Sequence, residues 1–314
     1  MSLIRLFRTA LDDLGIDGKL VTADIRPDIP ARFTGDIHEL TPRVDQVNYI
    51  DSLLGTCERL EIALLVPLID PELHLLAQHR ERFTALGVEV LISAPGVTEI
   101  SFDKRNTSAF FREADVLTPD DYCIEDVEAE KCSFPLLLKP ARGSGSIGVV
   151  KLQDMNEFRF FVSRTPDPLV QEFVEGAEYT VDVLADFSGK PRSVVPRLRM
   201  QTRAGEVSKG ITAKHRELIE QAVHVVDSLP GARGPITLQC FLTGAGEIKF
   251  IEINPRFGGG FPLSAAAGAN FPRWIIEWVR GLDPHIELIG WEDELMMFRF
   301  DDAMMIPKHK VFRP

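Results

Sequence analysis

Glu247-Ile248-Lys249-Phe250-Ile251-Glu252-Ile253-Asn254-Pro255-Arg256 is the stretch on which the fold and its chemistry turn. Alternation along an extended strand puts Glu252 and Asn254 on one face, with Ile251 and Ile253 on the other. The run Ile236 to Leu242 reads as a second strand. The turn Thr243-Gly244-Ala245-Gly246 joins the two into a hairpin in which Gln239 falls roughly opposite residue 252. A carboxylate and an amide two residues apart, with a third oxygen across the hairpin, suit a magnesium ion that completes its shell with phosphate oxygens and water. Arg256, just past the strand, carries the planar donors that can hold a transferring phosphoryl group. The plain alternative is a solvated strand face, which needs no more than the same alternation.

Upstream, Gly143-Ser144-Gly145-Ser146-Ile147-Gly148 matches GxGxxG. In a dinucleotide fold such a loop opens a helix. Here it lies between two strands, Pro135 to Lys139 and Gly148 to Leu152, so a flap over phosphates fits better. Its glycines free backbone amides, and its serines add hydroxyls, to converge on an anion. Lys139 ends the preceding strand and supplies a point charge. A flexible hairpin tip is the alternative. Protein-kinase chemistry is not supported: His215-Arg216-Glu217 lacks the catalytic base, and Asp186-Phe187-Ser188-Gly189 is out of pattern. A nicotinamide-dependent oxidoreductase rests on the GxGxxG match alone.

Before this loop, a helix over residues 3–14 precedes the strand Lys19 to Asp24. The strand Ile62 to Val66, a helix from Glu72 to Leu86 and the strand Val88 to Ile92 follow. Asp70 reads as the cap of that helix, with Pro71 at its first position, although Asp70 and Glu72 are also placed to meet a substrate amine. This alternation predicts an α/β, doubly wound parallel sheet over residues 1–100, lacking the opening strand such sheets place first, as if the start were shortened. Residues 101–186 read as a small α+β unit: a helix from Ser101 to Ala114, the flap hairpin, a helix from Met155 to Ser163, and the strands Leu169 to Phe173 and Tyr179 to Asp186. Residues 187–314 hold a helix from Lys214 to Leu229, the metal-ligand hairpin and a helix from Pro272 to Arg280.

The 314 residues carry a net charge of −12, with 35 Lys and Arg against 47 Asp and Glu. That balance argues against gripping nucleic acid, whose phosphates demand many cations. A polyanionic substrate must instead find a local positive pocket. Cys57, Cys123, Cys132 and Cys240 form no CxxC pair, which points away from disulfides and zinc and towards a reducing cytoplasm. No apolar run is long enough to span a membrane.

Taken in order, Lys104, Leu137-Leu138-Lys139-Pro140 with its glycine loop, the segment from Gln171 to Tyr179, and Ile251 to Arg256 resemble the ATP-grasp superfamily. The likeness is nearest to one unit of the carbamoyl-phosphate synthase large subunit. It implies a pre-ATP-grasp domain followed by a two-part ATP-grasp fold, and a ligase using ATP with magnesium, two ions that manganese can replace. A carboxylate would be activated as an acyl phosphate for an amine; a nucleotide-binding regulatory subunit is the runner-up. By the same resemblance Lys104, Lys139, Gly143, Ser144, Gly145 and Ser146 contact ATP phosphates. The hinge of Glu172, Phe173 and Val174 meets the adenine edge, and Glu178 holds the ribose. Gln239, Glu252 and Asn254 bind magnesium, while Arg256 and Lys209 serve catalysis. Arg197, Arg199 and Arg203 form a basic run, read either as solvated or as a site for an anionic second substrate. A homodimer is compatible with this reading.

Overall fold

The computed structural model describes residues 1–143, 145, 147–203 and 205–311. Helix α1 (Ser2–Asp13) buries Phe7, Ala10 and Leu11, the inner face of its apolar stripe. Strand β1 (Val21–Asp24) pairs in parallel with β2 (Ile37–Leu40), which the sequence pattern did not single out. Next come α2 (Tyr49–Arg59), β3 (Leu64–Leu65), α3 (Asp70–Thr84) and β4 (Glu89–Val90), with β3 and β4 again parallel. The expected parallel pairing is therefore present, as two short ladders. Tyr49, Leu53, Leu76, Phe83 and Ile92 belong to a separate core packed against β3 and β4.

Two expectations change at helix ends. The residue before α3 is Ile69, not Asp70, and the orphan amides of Leu68 and Ile69 are satisfied by the Glu72 carboxylate at 2.8 and 3.2 Å. Asp70 is therefore not the cap of α3. The single helix expected over Ser101 to Ala114 is two, α4 (Pro95–Phe102) and α5 (Lys104–Glu113). They break at Asp103, whose carboxylate caps α5 by accepting from the Arg105 amide at 3.0 Å.

Strand β5 (Asp121–Tyr122), helix α6 (Ile124–Glu128), strands β6 (Leu136–Pro140) and β7 (Val150–Leu152), helix α7 (Met155–Val162) and strand β8 (Pro168–Glu172) build an antiparallel sheet in the order β5-β8-β6-β7. Leu136, Leu138, Leu152 and Phe158 close its core. Strands β9 (Gly176–Ala185), β10 (Pro191–Arg203) and β11 (Glu206–Thr212) follow, then α8 (Arg216–Asp227), β12 (Gly234–Thr243) and β13 (Ile248–Asn254). After α9 (Phe261–Ala266) and α10 (Phe271–Val279), the edge strand β14 (Met296–Phe298) completes a six-stranded sheet in the order β13-β12-β9-β10-β11-β14. Since β9 lies at the centre of this sheet, the division between the two sheets falls at residues 173–175 rather than at 186.

The basic run of Arg197, Arg199 and Arg203 lies along the long strand β10 and passes from buried at Arg197 to solvated at Arg203. In the metal-ligand hairpin, Gln239 pairs with Glu252 but Cys240 pairs with Phe250, so Ile251 is a β-bulge. Phe250 consequently points into the core at 0% exposure, while Lys249 shares a face with Glu252 and Asn254.

Candidate nucleotide and metal site

The two sheets face each other across a cleft bridged by residues 173–175. On the floor, β13 presents Glu252 and Asn254, and the register places Gln239 directly opposite Glu252 and Thr237 opposite Asn254. On the facing sheet, β6 aims Lys139 into the same space. The residue is buried, at 6% exposure, and desolvation pulls its pKa down to about 8. The Glu252 carboxylate opposes that fall and the Lys104 charge adds to it, so all three groups lie within one another's field. A buried ammonium held beside another cation is costly unless an anion is to join them.

Lys104 opens α5 and donates from Nζ to the Gly143 carbonyl at 2.7 Å, while its amide donates to Ala141 O at 2.9 Å. The helix start is thus laced to the base of the glycine loop. Gly143 and Gly145 have φ of 122° and 68°, which side-chain-bearing residues seldom adopt. Ser144 and Ser146 lie outside the described residues. Gly205, beside the β10–β11 turn, approaches Gly145 so closely that a Cβ on it would stand 2.9 Å from the Gly145 carbonyl oxygen.

Along the bridge, the Glu172 carboxylate is held by Lys249 Nζ at 2.6 and 2.8 Å, tying the small sheet to β13. Phe173 takes the Lys151 ammonium over its ring at 3.8 Å. Val174 is half-buried. Glu178, on β9, has its pKa raised first by desolvation and then by the Glu252 charge, with Arg199 opposing. Arg199 Nε lies 3.1 Å from Glu178 Oε1, and its Nη2 donates to the Gly205 carbonyl at 2.8 Å.

Arg256 leaves β13 and forms a two-pronged pair with Asp70, Nη2 to Oδ2 at 2.9 Å, while Nη2 also donates to Asn254 Oδ1 at 3.2 Å. Sequence spacing conceals this partnership, because the partners are 186 positions apart. A cavity of about 90 Å³ lies alongside, lined by Asp70, His74, Thr98, Gly143, Glu252 and Asn254. The structure therefore gathers Lys104, Lys139, Gly143, Gly145, Glu178, Gln239, Glu252, Asn254 and Arg256 round one cleft, with Glu172, Phe173 and Val174 along its bridge. It does not bring Lys209 there: Gly210 is paired with Arg199, so its neighbour Lys209 alternates to the opposite face, exposed.

The donor set fits magnesium in company with phosphates. Among the described residues no group of three or more His, Cys, Asp or Glu side chains forms a cage, whereas a carboxylate with amide oxygens leaves coordination positions for phosphate and water.

A family model described as an ATP-grasp domain matches residues 101–260, just over half of the chain. The chain belongs to the ATP-grasp family. A second model, the PylC-like N-terminal domain, matches residues 1–91. Carbamoyl-phosphate synthase of Methanobrevibacter smithii is 28% identical over 223 residues, 66% of this chain and 60% of the relative. A D-alanine–D-alanine ligase of Alcanivorax borkumensis is 33% identical over 121 residues, 37% of either chain. Among solved structures, the biotin carboxylase domain dimer of Hydrogenobacter thermophilus 2-oxoglutarate carboxylase, in complex with MgADP, ADP and bicarbonate, superposes with a TM-score of 0.75. That match has 18% identity and covers 93% of this chain and 70% of that one. The ATP-grasp chain thus spans 60% of the first of these curated relatives and 37% of the second. No helix among the described residues is long and apolar enough to cross a membrane.

Proposed function

We propose that this protein is a magnesium-ATP-dependent ligase that activates a small carboxylate as an acyl phosphate and passes it to an amine. One observation carries the reading: Glu252 and Asn254 of β13 line one cavity with Gly143 of the glycine loop, and Lys139 is buried on the facing sheet. Glu178 and the 172–174 bridge would take the ribose and base, and Lys104 and Lys139 the phosphates. Magnesium, held by Glu252, Asn254 and Gln239, would offset phosphate charge when bound. A substrate carboxylate oxygen attacks the γ-phosphorus, the bond to the β-phosphate oxygen breaks, and ADP leaves. The amine then adds to the acyl carbon, loses a proton, and expels phosphate with its C–O bond. Arg256 is placed to steady charge on the transferring group, and Lys209, on the opposite face of its strand, is left out of the step. A homodimer, the state named for the biotin carboxylase domain, is part of the same proposal.

The test is ADP release over a panel of amino acids and simple carboxylates, alone and in pairs. Turnover dependent on both a carboxylate and an amine is expected. Glu252→Ala should lower it by about a hundredfold or more while circular dichroism and thermal unfolding stay as in the parent. Unchanged turnover removes the metal assignment. Binding of a non-hydrolysable ATP analogue with no turnover on any pair would favour a nucleotide-binding subunit.

A further inference from the structure

Arg256 sits beside the metal-ligand pair with its charge already committed. Asp70, in the first turn of α3 of the N-terminal domain, meets it through two donors, and both side chains are largely sheltered, at 17% and 29% exposure. Planar, two-point pairing of this kind is among the stronger and more directional ion pairs. Nothing local calls for Asp70 here, because Glu72 does the capping of α3. Arg256 also donates to Asn254 Oδ1. The arginine thus leans on a proposed metal ligand while an aspartate from another domain neutralises it.

We propose that Asp70 is a positioning residue that holds Arg256 off the terminal phosphate until a substrate carboxylate takes Asp70's place against the guanidinium. This rests on the ligase reading above. Asp70 offers Arg256 the same functional group as the substrate, from the wall of the cavity that Glu252 and Asn254 also line. A carboxylate entering that cavity competes for the same two donors. Its arrival releases Arg256 from Asp70 and leaves the guanidinium against the substrate carboxylate, beside the group that this carboxylate receives, so phosphoryl transfer is coupled to the presence of an acceptor and water is a poor substitute. The N-terminal domain thereby takes part in the chemistry instead of only supporting it.

The experiment compares wild type, Asp70→Asn and Asp70→Glu in two assays: affinity for the magnesium complex of a non-hydrolysable ATP analogue by calorimetry, and ADP release from ATP with no carboxylate added. Asp70→Asn, isosteric but uncharged, should bind the analogue about three- to tenfold more tightly and raise carboxylate-free ADP release severalfold. Asp70→Glu should stay near wild type on both counts. A merely structural role predicts no gain in either assay. Equal or weaker analogue binding by a folded Asp70→Asn, with wild type binding normally, overturns the proposal and leaves the ligase reading standing. Failure of wild type to bind the analogue overturns both.

Discussion

On the cleft face of the six-stranded sheet, the centre and one edge use charge in opposite ways. At the centre, Arg197 and Asp182 are 1% exposed and locked together, with Nε to Oδ2 at 2.7 Å and Nη2 to Oδ1 at 3.0 Å. Ser264 donates to the same carboxylate at 2.6 Å. At the edge, Glu252 and Gln239 stand opposite each other, and the Glu252 charge acts on Lys139 from across the cleft. The first arrangement satisfies itself, whereas the second is complete only with something between its halves. An ionisable group saturated by protein partners maintains the fold, and one left facing a gap points to a ligand.

Breaking the centre should cost the most stability. Asp182→Asn strands a buried guanidinium, and we expect a loss of about 3–5 kcal/mol in urea unfolding. The double replacement Asp182→Leu with Arg197→Met should recover much of it, since an apolar pair of similar volume carries no desolvation penalty.

The edge should respond with the opposite sign. Lys139 has a folded-state pKa of about 8 against an ordinary 10.5, so between those values the unfolded chain binds a proton that the folded chain has released. The penalty is fully present below pH 8 and is relieved as pH climbs towards 10.5. Lys139→Met should therefore stabilise the protein at pH 7, on the order of 2–3 kcal/mol, and lose that advantage by pH 10, while affinity for a triphosphate analogue falls. Urea unfolding at the two pH values checks the sign; a destabilised variant at pH 7 would show that the lysine helps hold the fold.

Lys209 is the smallest test. Lying on the other face, Lys209→Ala should change stability by no more than about 0.5 kcal/mol and analogue affinity by less than about twofold, both readable in one calorimetric series. A larger loss of affinity would extend the ligand-facing region to the far side of β11.

Much of the edge is legible in the sequence. The four-residue turn and the alternation of β13 set Gln239 against Glu252, and the strands flanking the glycine loop mark a flap. The centre is harder to read. Arg197-Leu198-Arg199-Met200 does alternate, the period of a strand, but charge at every second position resembles a solvated run until Asp182, 15 residues earlier, supplies the counter-charge. Strand β2 is four residues long with no fully buried side chain, too little for a pattern. Asp70's partner is hidden for another reason: a local explanation, the helix cap, was chemically sufficient, and only the fold shows that Glu72 had already taken that role.

The extra residue in β13 has a consequence of its own. Lys249 and Glu252 are three positions apart, and in an unbroken strand an odd spacing would send them to opposite sides; Phe250 would then join Glu252 in the cleft. Ile251 resets the count. Removing it would keep every functional side chain yet swap which of them face inwards, so this hairpin should tolerate a change of letter far better than a change of length.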